Sequence, residues 1–125
     1  NVLKEAVAGR RIIMIDDSIV RGTTSALIVN MLRDAGAREV HVRISAPPFL
    51  HPCYFGTDIP SEDQLIAHGH TVEEIRDMIG ADSLSYLKME RLQEMACSRS
   101  ICTACFSGKY PIEPPVEDIR GSYDK

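Results

Sequence analysis

Short apolar runs alternate along the chain with stretches in which apolar residues recur at helical spacing. Residues 12–15 are apolar at four successive positions, which predicts a strand covered on both faces, as in the middle of a parallel sheet. A polar loop follows, and then a helix is predicted from five apolar positions: Leu27, Ile28, Met31, Leu32 and Ala35. Gly36 is a suitable end for that helix. Alternating apolar and polar residues over 40–44 predict a second strand, which ends before Pro47.

The second half of the chain continues this alternation. The predicted elements are, in order, a short helix opened by the capping-box pair Ser61 and Gln64, a second opened by Thr71 and Glu74 and closed by Gly80, a short strand with Leu84 and Tyr86, and a helix with Met89, Leu92 and Ala96. This order predicts an α/β fold with right-handed crossovers. Residues 110–125 are expected to form a loosely ordered tail.

Composition narrows the function classes. The chain of 125 residues is 44% hydrophobic and 26% charged, which is ordinary for one globular domain. A net charge of −4 with no long basic run argues against nucleic-acid binding, and no apolar stretch resembles a membrane span or a signal peptide. We therefore expect a cytoplasmic protein with neither a nucleic acid nor a membrane as partner. In that compartment the four cysteines favour reduced thiols or a metal site over disulfides.

The stretch IIMIDDSIVRGTTS (residues 12–25) carries the clearest candidate site. Asp16 and Asp17 follow the first strand directly, where parallel sheets bind their ligands. The loop after them leads into a helix, whose unpaired N–H groups and dipole attract an anion, and Gly22 lets the backbone approach closely. The candidate phosphate-binding residues are Ser18, Ile19, Val20, Arg21, Gly22, Thr23 and Thr24.

Two acids beside a phosphate would repel it unless they face a metal or sugar hydroxyls. Mg²⁺ accepts carboxylate oxygens, so a ligand with a phosphate, a ribose and a metal-bound pyrophosphate would fit, namely phosphoribosyl pyrophosphate. Successive strand side chains point oppositely, which leaves open whether Asp16 or Asp17 holds the metal directly. Walker and dinucleotide motifs fail, because Gly22 stands alone and is followed by Thr23. The plainer alternative is that these acids only cap the following helix.

The same stretch, as MIDDSIVRGTTS, resembles the signature of the type I phosphoribosyltransferases: an apolar strand, two acids, a short variable piece and Gly-Thr-Thr. Residues 32–60, 64–87 and 102–111 extend the resemblance to the glutamine-dependent amidotransferase branch of that family. The resemblance implies the type I fold, present as its C-terminal half in a longer protein. Residues 1–101 would be the C-terminal part of the phosphoribosyltransferase domain, and residues 102–125 a cysteine-containing segment and tail.

What the resemblance implies about activity is specific. Such an enzyme makes 5-phosphoribosylamine from phosphoribosyl pyrophosphate and glutamine-derived ammonia, the first committed step of purine biosynthesis. Asp16 and Asp17 would contact Mg²⁺ and the ribose, and residues 18–24 the 5′-phosphate. A homo-oligomer is expected, with ammonia supplied by an N-terminal domain outside this chain, so the isolated chain is expected to be inactive. Two alternatives are a phosphoribosyltransferase of nucleobase salvage and a non-enzymatic sensor of phosphoribosyl pyrophosphate.

The cysteines admit several interpretations. Cys102 and Cys105 form a Cys-x-x-Cys pair, but the context at residues 108–111 does not resemble the strand-to-helix turn of a thioredoxin-like redox pair. Together with Cys53 and Cys97, the pair could form a tetrahedral zinc site. Cys53 and Cys97 are also suitable as small core residues. The resemblance implies a [4Fe–4S] cluster held by Cys53, Cys102 and Cys105, with the fourth ligand upstream of Asn1. Cys97 has no counterpart in that pattern.

The histidines are not expected to take part in the chemistry. Displacement of pyrophosphate by ammonia requires little proton transfer, so no histidine base is needed. The four are therefore expected to be surface or packing residues: His41, His51, His68 and His70.

Overall fold

A parallel sheet of three strands organises the computed structural model, which describes residues 2–59, 61–97 and 100–114. The strands are β1 (Arg11–Asp16), β2 (Glu39–Ile44) and β3 (Ser83–Tyr86), in that order across the sheet. Ile12 of β1 lies opposite Val40 of β2, and Val42 lies opposite Leu84 of β3. The predicted second and third strands are therefore confirmed.

Helices connect and flank the strands. In the described residues they are α1 (Lys4–Val7), α2 (Thr23–Asp34), α3 (Ile66–Gly69), α4 (Val72–Ile79), α5 (Met89–Met95) and α6 (Ala104–Ser107), with a single 3-10 turn at Glu62–Gln64. α2 joins β1 to β2, and the long connection from β2 to β3 contains the 3-10 turn, α3 and α4. The α/β class expected from the sequence is confirmed. None of these helices is long and apolar enough to cross a membrane.

The core lies between one face of the sheet and the helices α2 and α4. Val40 and Val42 of β2 are fully buried, as is Val29 of α2, and Ile75 and Ile79 of α4 are nearly so. Every second residue of β2 is buried, which is the pattern of a strand with one face on the core. The period-2 alternation that predicted this strand therefore has its cause in one-sided packing.

The prediction that the first strand is covered on both faces is wrong for this chain. β1 pairs with β2 alone among the described strands, and β2 is the middle strand. Ile13 and Ile15 point away from the core and are 68% and 76% exposed. Ile13 lies opposite His41 in the register, so the uncovered face also carries polar side chains. A run of apolar residues reports how apolar a strand is, not which elements cover it.

One of the two predicted capping boxes is present. The Glu74 N–H donates to Thr71 Oγ1 at 3.2 Å, and the Thr71 N–H donates to Glu74 Oε2 at 2.7 Å, so α4 begins as predicted. The Ser61 box is wrong, because the Gln64 N–H donates to the Ser61 carbonyl at 3.0 Å and not to the hydroxyl, so only a 3-10 turn forms. The Ser61 hydroxyl instead donates to the carboxylate of Asp63.

The ends of the chain differ partly from expectation. α1 and α6 have four residues each, too few for a periodic pattern to reveal. The last predicted helix is confirmed as α5. Most of the predicted tail, residues 115–125, lies outside the described residues. Tyr110 is held in place, since its hydroxyl donates to the Pro52 carbonyl at 2.8 Å.

Candidate active site

An open cavity of about 670 Å³ lies beyond the carboxyl end of β1. Residues 16–25 and Asp58 line it. The cavity therefore brings together all of the acids and loop residues that the sequence singled out as a candidate site. Asp58, which lies between β2 and the 3-10 turn, adds a third carboxylate that sequence analysis missed. No local spacing distinguishes it from other loop acids.

The loop of residues 18–24, called here the phosphate loop, ends where α2 begins. Gly22 is the N-cap residue of α2 and has a φ of 82°, a left-handed conformation that favours glycine. No side chain caps this end, and the first turn contains no acid. The first N–H groups of α2 therefore have no side-chain acceptor. The positive end of the α2 dipole lies at the cavity.

The phosphate loop is supported from behind by the core. Ile19 is 2% exposed, so this residue anchors the loop in the core. The Ile66 N–H of α3 donates to the Val20 carbonyl at 2.9 Å. A Cβ at Gly22 would lie 2.6 Å from Ile66 Cδ1, so α3 leaves no room for a side chain there. Sequence analysis missed Ile66, which lies more than forty residues away in the chain.

The acid pair sits at the junction of β1 and the phosphate loop. Asp16 is the last residue of β1, and its Oδ1 accepts the Asp17 N–H at 2.9 Å. Asp17 is exposed, and its Oδ1 accepts the Ser18 hydroxyl at 3.2 Å. These two bonds use one oxygen of each carboxylate. An oxygen donor set of this kind suits Mg²⁺, which keeps several waters and binds through one or two carboxylates.

The cysteines gather at a second place on the surface. The segment 49–53, called here the HPC segment, packs against residues 102–110, called here the cysteine segment. Cys105 provides the carbonyl that accepts the N–H groups of both Leu50 and His51, each at 3.0 Å. Phe49 and Phe106 stack with ring centroids 5.0 Å apart. The fold thus joins two segments that are about fifty residues apart in sequence.

The three cysteines of these two segments influence one another. Burial raises the pKa of the Cys105 thiol, and the nearby charges of Cys53 and Cys102 raise it further. Burial also acts to raise the pKa of Cys53, but hydrogen bonds from residues 55–57 outweigh it and lower that pKa. None of the four cysteines forms a disulfide. Within the described residues, no three histidine, cysteine, aspartate or glutamate side chains converge as a ready-formed metal site.

The positions of Cys97 and of the start of α6 concern the core-residue and redox-pair interpretations of the cysteines. The exposed Cys97 thiol donates to the Met95 carbonyl at 3.6 Å, at the end of α5. Cys102 precedes α6 and Cys105 lies within it. The Cys-x-x-Cys pair thus spans a helix start, which the sequence did not predict, although the described residues before it form no strand.

Comparison with known proteins identifies close relatives. No protein-family profile matches the chain. An amidophosphoribosyltransferase of Archaeoglobus fulgidus is 53% identical over 124 residues, covering 96% of this chain and 27% of the relative. One from Synechococcus elongatus is 57% identical (96% and 25%), and one from Bacillus subtilis is 52% identical (90% and 25%).

Two solved structures share the fold. Glutamine phosphoribosylpyrophosphate amidotransferase from B. subtilis, complexed with ADP and GMP, has a TM-score of 0.82 and 50% identity. It covers 92% of this chain, and this chain covers 27% of it. A structure described as the allosteric regulatory enzyme of purine biosynthesis has a TM-score of 0.85 and 50% identity, with coverages of 92% and 26%.

These observations define the class of protein first. The fold is that of a type I phosphoribosyltransferase. It places an acid pair at the end of a strand, followed by a glycine-containing loop that enters a helix. Within that class, the chain belongs to the amidophosphoribosyltransferase family. It spans about a quarter of the length of the curated relatives that it matches.

Proposed function

We propose that the protein carrying this chain makes 5-phosphoribosylamine from phosphoribosyl pyrophosphate and glutamine-derived ammonia, as the first committed step of purine biosynthesis. The observation that carries the proposal is a cavity lined by the acid pair, the phosphate loop and the start of α2. The names of the relatives favour amide transfer over nucleobase salvage or sensing. Homo-oligomeric assembly and a cytoplasmic location stay predictions from the sequence.

The phosphate loop would hold the 5′-phosphate of the substrate. The first N–H groups of α2 have no side-chain cap, and a helix start of this kind attracts an anion by about 0.3–1 kcal/mol at an exposed site. Thr23 and Thr24 are exposed at the same end and can add hydroxyl donors, and the exposed Arg21 adds positive charge. The left-handed Gly22 brings the backbone close enough for these groups to act together.

The acid pair would act on the other side of the ribose. The reaction forms a bond between the ammonia nitrogen and the anomeric carbon and breaks the bond from that carbon to the pyrophosphate oxygen. Pyrophosphate leaves with the electron pair, and the nitrogen releases a proton to water. Positive charge builds on the ribose ring during this exchange, and a carboxylate of Asp16 or Asp17 stabilises it. Mg²⁺, when bound at the same acids, would neutralise the charge of the leaving pyrophosphate.

We further propose that Cys53, Cys102 and Cys105 hold a [4Fe–4S] cluster. The support is the backbone pairing of the HPC segment with the cysteine segment, which brings Cys53 and Cys102 near enough for their charges to act on Cys105. Hydrogen bonds from residues 55–57 also favour the Cys53 thiolate. These cysteines would serve to tie the two segments together, because the reaction transfers no electrons.

The experiment that tests the proposed activity measures pyrophosphate release by the purified full-length protein with Mg²⁺ and phosphoribosyl pyrophosphate. We expect release to require glutamine or free ammonia and to yield phosphoribosylamine. Free purine and pyrimidine bases, supplied without ammonia, form the matched control and are expected to give no release. Release that depends on a base would identify a salvage enzyme, and phosphoribosyl pyrophosphate binding without release would identify a sensor.

A further inference from the structure

α3 is a one-turn helix that contacts the phosphate loop on one side. Its first residue, Ile66, donates its N–H to the Val20 carbonyl at 2.9 Å. Ile66 is 7% exposed, and its Cδ1 would lie 2.6 Å from a Cβ added at Gly22, so one of the two would have to shift. The shape of the phosphate loop between Val20 and Gly22 therefore depends on where α3 sits.

The other end of α3 is tied to the HPC segment. His68 Nδ1 lies 3.0 Å from the Leu50 carbonyl, and since a carbonyl can only accept, the ring donates. The Leu50 N–H in turn donates to the Cys105 carbonyl at 3.0 Å. Hydrogen bonds at Leu50 thus join the cysteine segment to His68. His68 is two residues from Ile66 in α3, and Ile66 bonds to the phosphate loop.

A carboxylate of the 3-10 turn lies beside His68. Glu62 Oε1 lies 3.0 Å from His51 Nδ1, and Glu62 Oε2 lies 3.6 Å from His68 Nε2. One carboxylate therefore lies between two imidazole rings, one from the HPC segment and one from α3. Glu62 therefore bonds to the HPC segment through His51, and its second oxygen attracts the His68 ring when that ring carries a proton.

We propose that Glu62 and His68 are positioning residues for the phosphate loop. They hold α3 in the place where Ile66 keeps the loop in its phosphate-binding shape, and they tie that shape to the HPC segment. The inference rests on the proposed function of the loop in binding phosphoribosyl pyrophosphate. Neither side chain lines the cavity, so neither touches the substrate, and both act through the backbone.

This arrangement predicts that variants of Glu62 and His68 weaken substrate binding and leave the turnover rate nearly unchanged. Loosening α3 weakens the contacts of the loop with the 5′-phosphate, whereas the acid pair at the end of β1 is held by the sheet and stays in place. We expect Glu62→Gln to raise the KM for phosphoribosyl pyrophosphate about two- to fivefold, the range of a partly exposed ion pair, with kcat little changed. His68→Ala removes both the contact with Glu62 and the hydrogen bond to the Leu50 carbonyl. We expect it to raise the KM for phosphoribosyl pyrophosphate about tenfold.

The experiment uses the full-length protein and two readouts. The first is KM against kcat for each variant. The second is amide hydrogen exchange over residues 18–24 and at Ile66, with and without inorganic phosphate, which requires no activity. Asp63→Asn is the matched control, because it removes the same charge from the same turn and bonds to Ser61 instead. His68→Asn is the conservative variant, since its side-chain amide can donate to the Leu50 carbonyl in place of Nδ1.

Support for the inference is faster exchange over the phosphate loop in Glu62→Gln and His68→Ala, with Asp63→Asn like the wild type and His68→Asn partly restored. Unchanged loop exchange and unchanged KM in both Glu62→Gln and His68→Ala would overturn it. A wild-type protein that exchanges as expected but makes no phosphoribosylamine would instead overturn the proposed function. The two failures are therefore distinguishable.

Discussion

Gly22→Ala tests the phosphate loop most directly, because the added Cβ meets two separate obstacles. The φ of 82° is a left-handed conformation, which costs an L-residue about 1–2 kcal/mol. The Cβ would also lie 2.6 Å from Ile66 Cδ1, and overpacking of this kind costs about 1–3 kcal/mol. The contacted atom is the end of a side chain that can move, so we take the low end of both ranges, about 2 kcal/mol.

This cost predicts a loss of affinity rather than a loss of fold. The loop reduces the strain by leaving the shape that the phosphate requires, so the energy appears when the substrate is bound. About 2 kcal/mol corresponds to roughly a thirtyfold rise in the dissociation constant. The measurement is titration calorimetry or KM for phosphoribosyl pyrophosphate in the full-length protein. Gly56→Ala is the matched control, since its Cβ would have nothing within 4 Å and its φ is not left-handed.

Ile66→Val separates the two obstacles, because it removes the Cδ1 atom that the new Cβ would strike. The remaining neighbours would lie 3.8 Å and 3.9 Å away, which is ordinary contact. The double variant is expected to regain about fivefold of the lost affinity, because only the clash of about 1 kcal/mol is relieved and the cost of the left-handed conformation stays. Equal affinity for Gly22→Ala and Gly56→Ala, or strictly additive losses in the double variant, would refute the reasoning.

Four further outcomes are expected. Asp17→Asn should lower kcat across a range of Mg²⁺ concentrations in steady-state assays, and wild-type kinetics would remove this acid from the site. Cys102→Ser or Cys105→Ser should abolish iron and inorganic sulfide in the purified protein, whereas stoichiometric zinc without sulfide contradicts the cluster. The separate chain of 125 residues should yield no phosphoribosylamine even with free ammonia, and a clear product signal contradicts this. Burial raises the pKa of Tyr86 to about 12 from 10.0, so the unfolded state loses this proton first and stability should fall between those values. Denaturant titrations against pH should show a smaller fall in Tyr86→Phe.

The order of strands and helices was predictable because it depends on the spacing of apolar and capping residues that are close together in the sequence. Alternation over 40–44 marked β2, and the Thr71 box marked the start of α4. The place of β1 at the edge of the sheet was not predictable, since strand order depends on pairing between distant segments. The Ser61 spacing misled because the Gln64 N–H donates to the Ser61 carbonyl at 3.0 Å instead of to the hydroxyl, which itself donates to Asp63.

The candidate site likewise contains residues that the sequence revealed and residues that it did not. Asp16, Asp17 and the phosphate loop form one contiguous motif, so the sequence revealed them together. Asp58 and Ile66 reach the cavity or the loop only through the long connection from β2 to β3, and no local pattern marks them. His68 was expected to be a surface or packing residue, and its bond to the Leu50 carbonyl depends on the tertiary fold.

The edge position of β1 has a practical consequence for the separate chain. Among the described residues, the outer backbone of β1 has no strand beside it, and the exposed Ile13 and Ile15 line the uncovered face next to it. An apolar edge with unpaired N–H and C=O groups is a template for strand addition by another molecule. We therefore expect the separate chain to self-associate edge to edge as its concentration rises, which light scattering would reveal. A charged residue at Ile13, which contributes little to the core, is expected to keep it in solution.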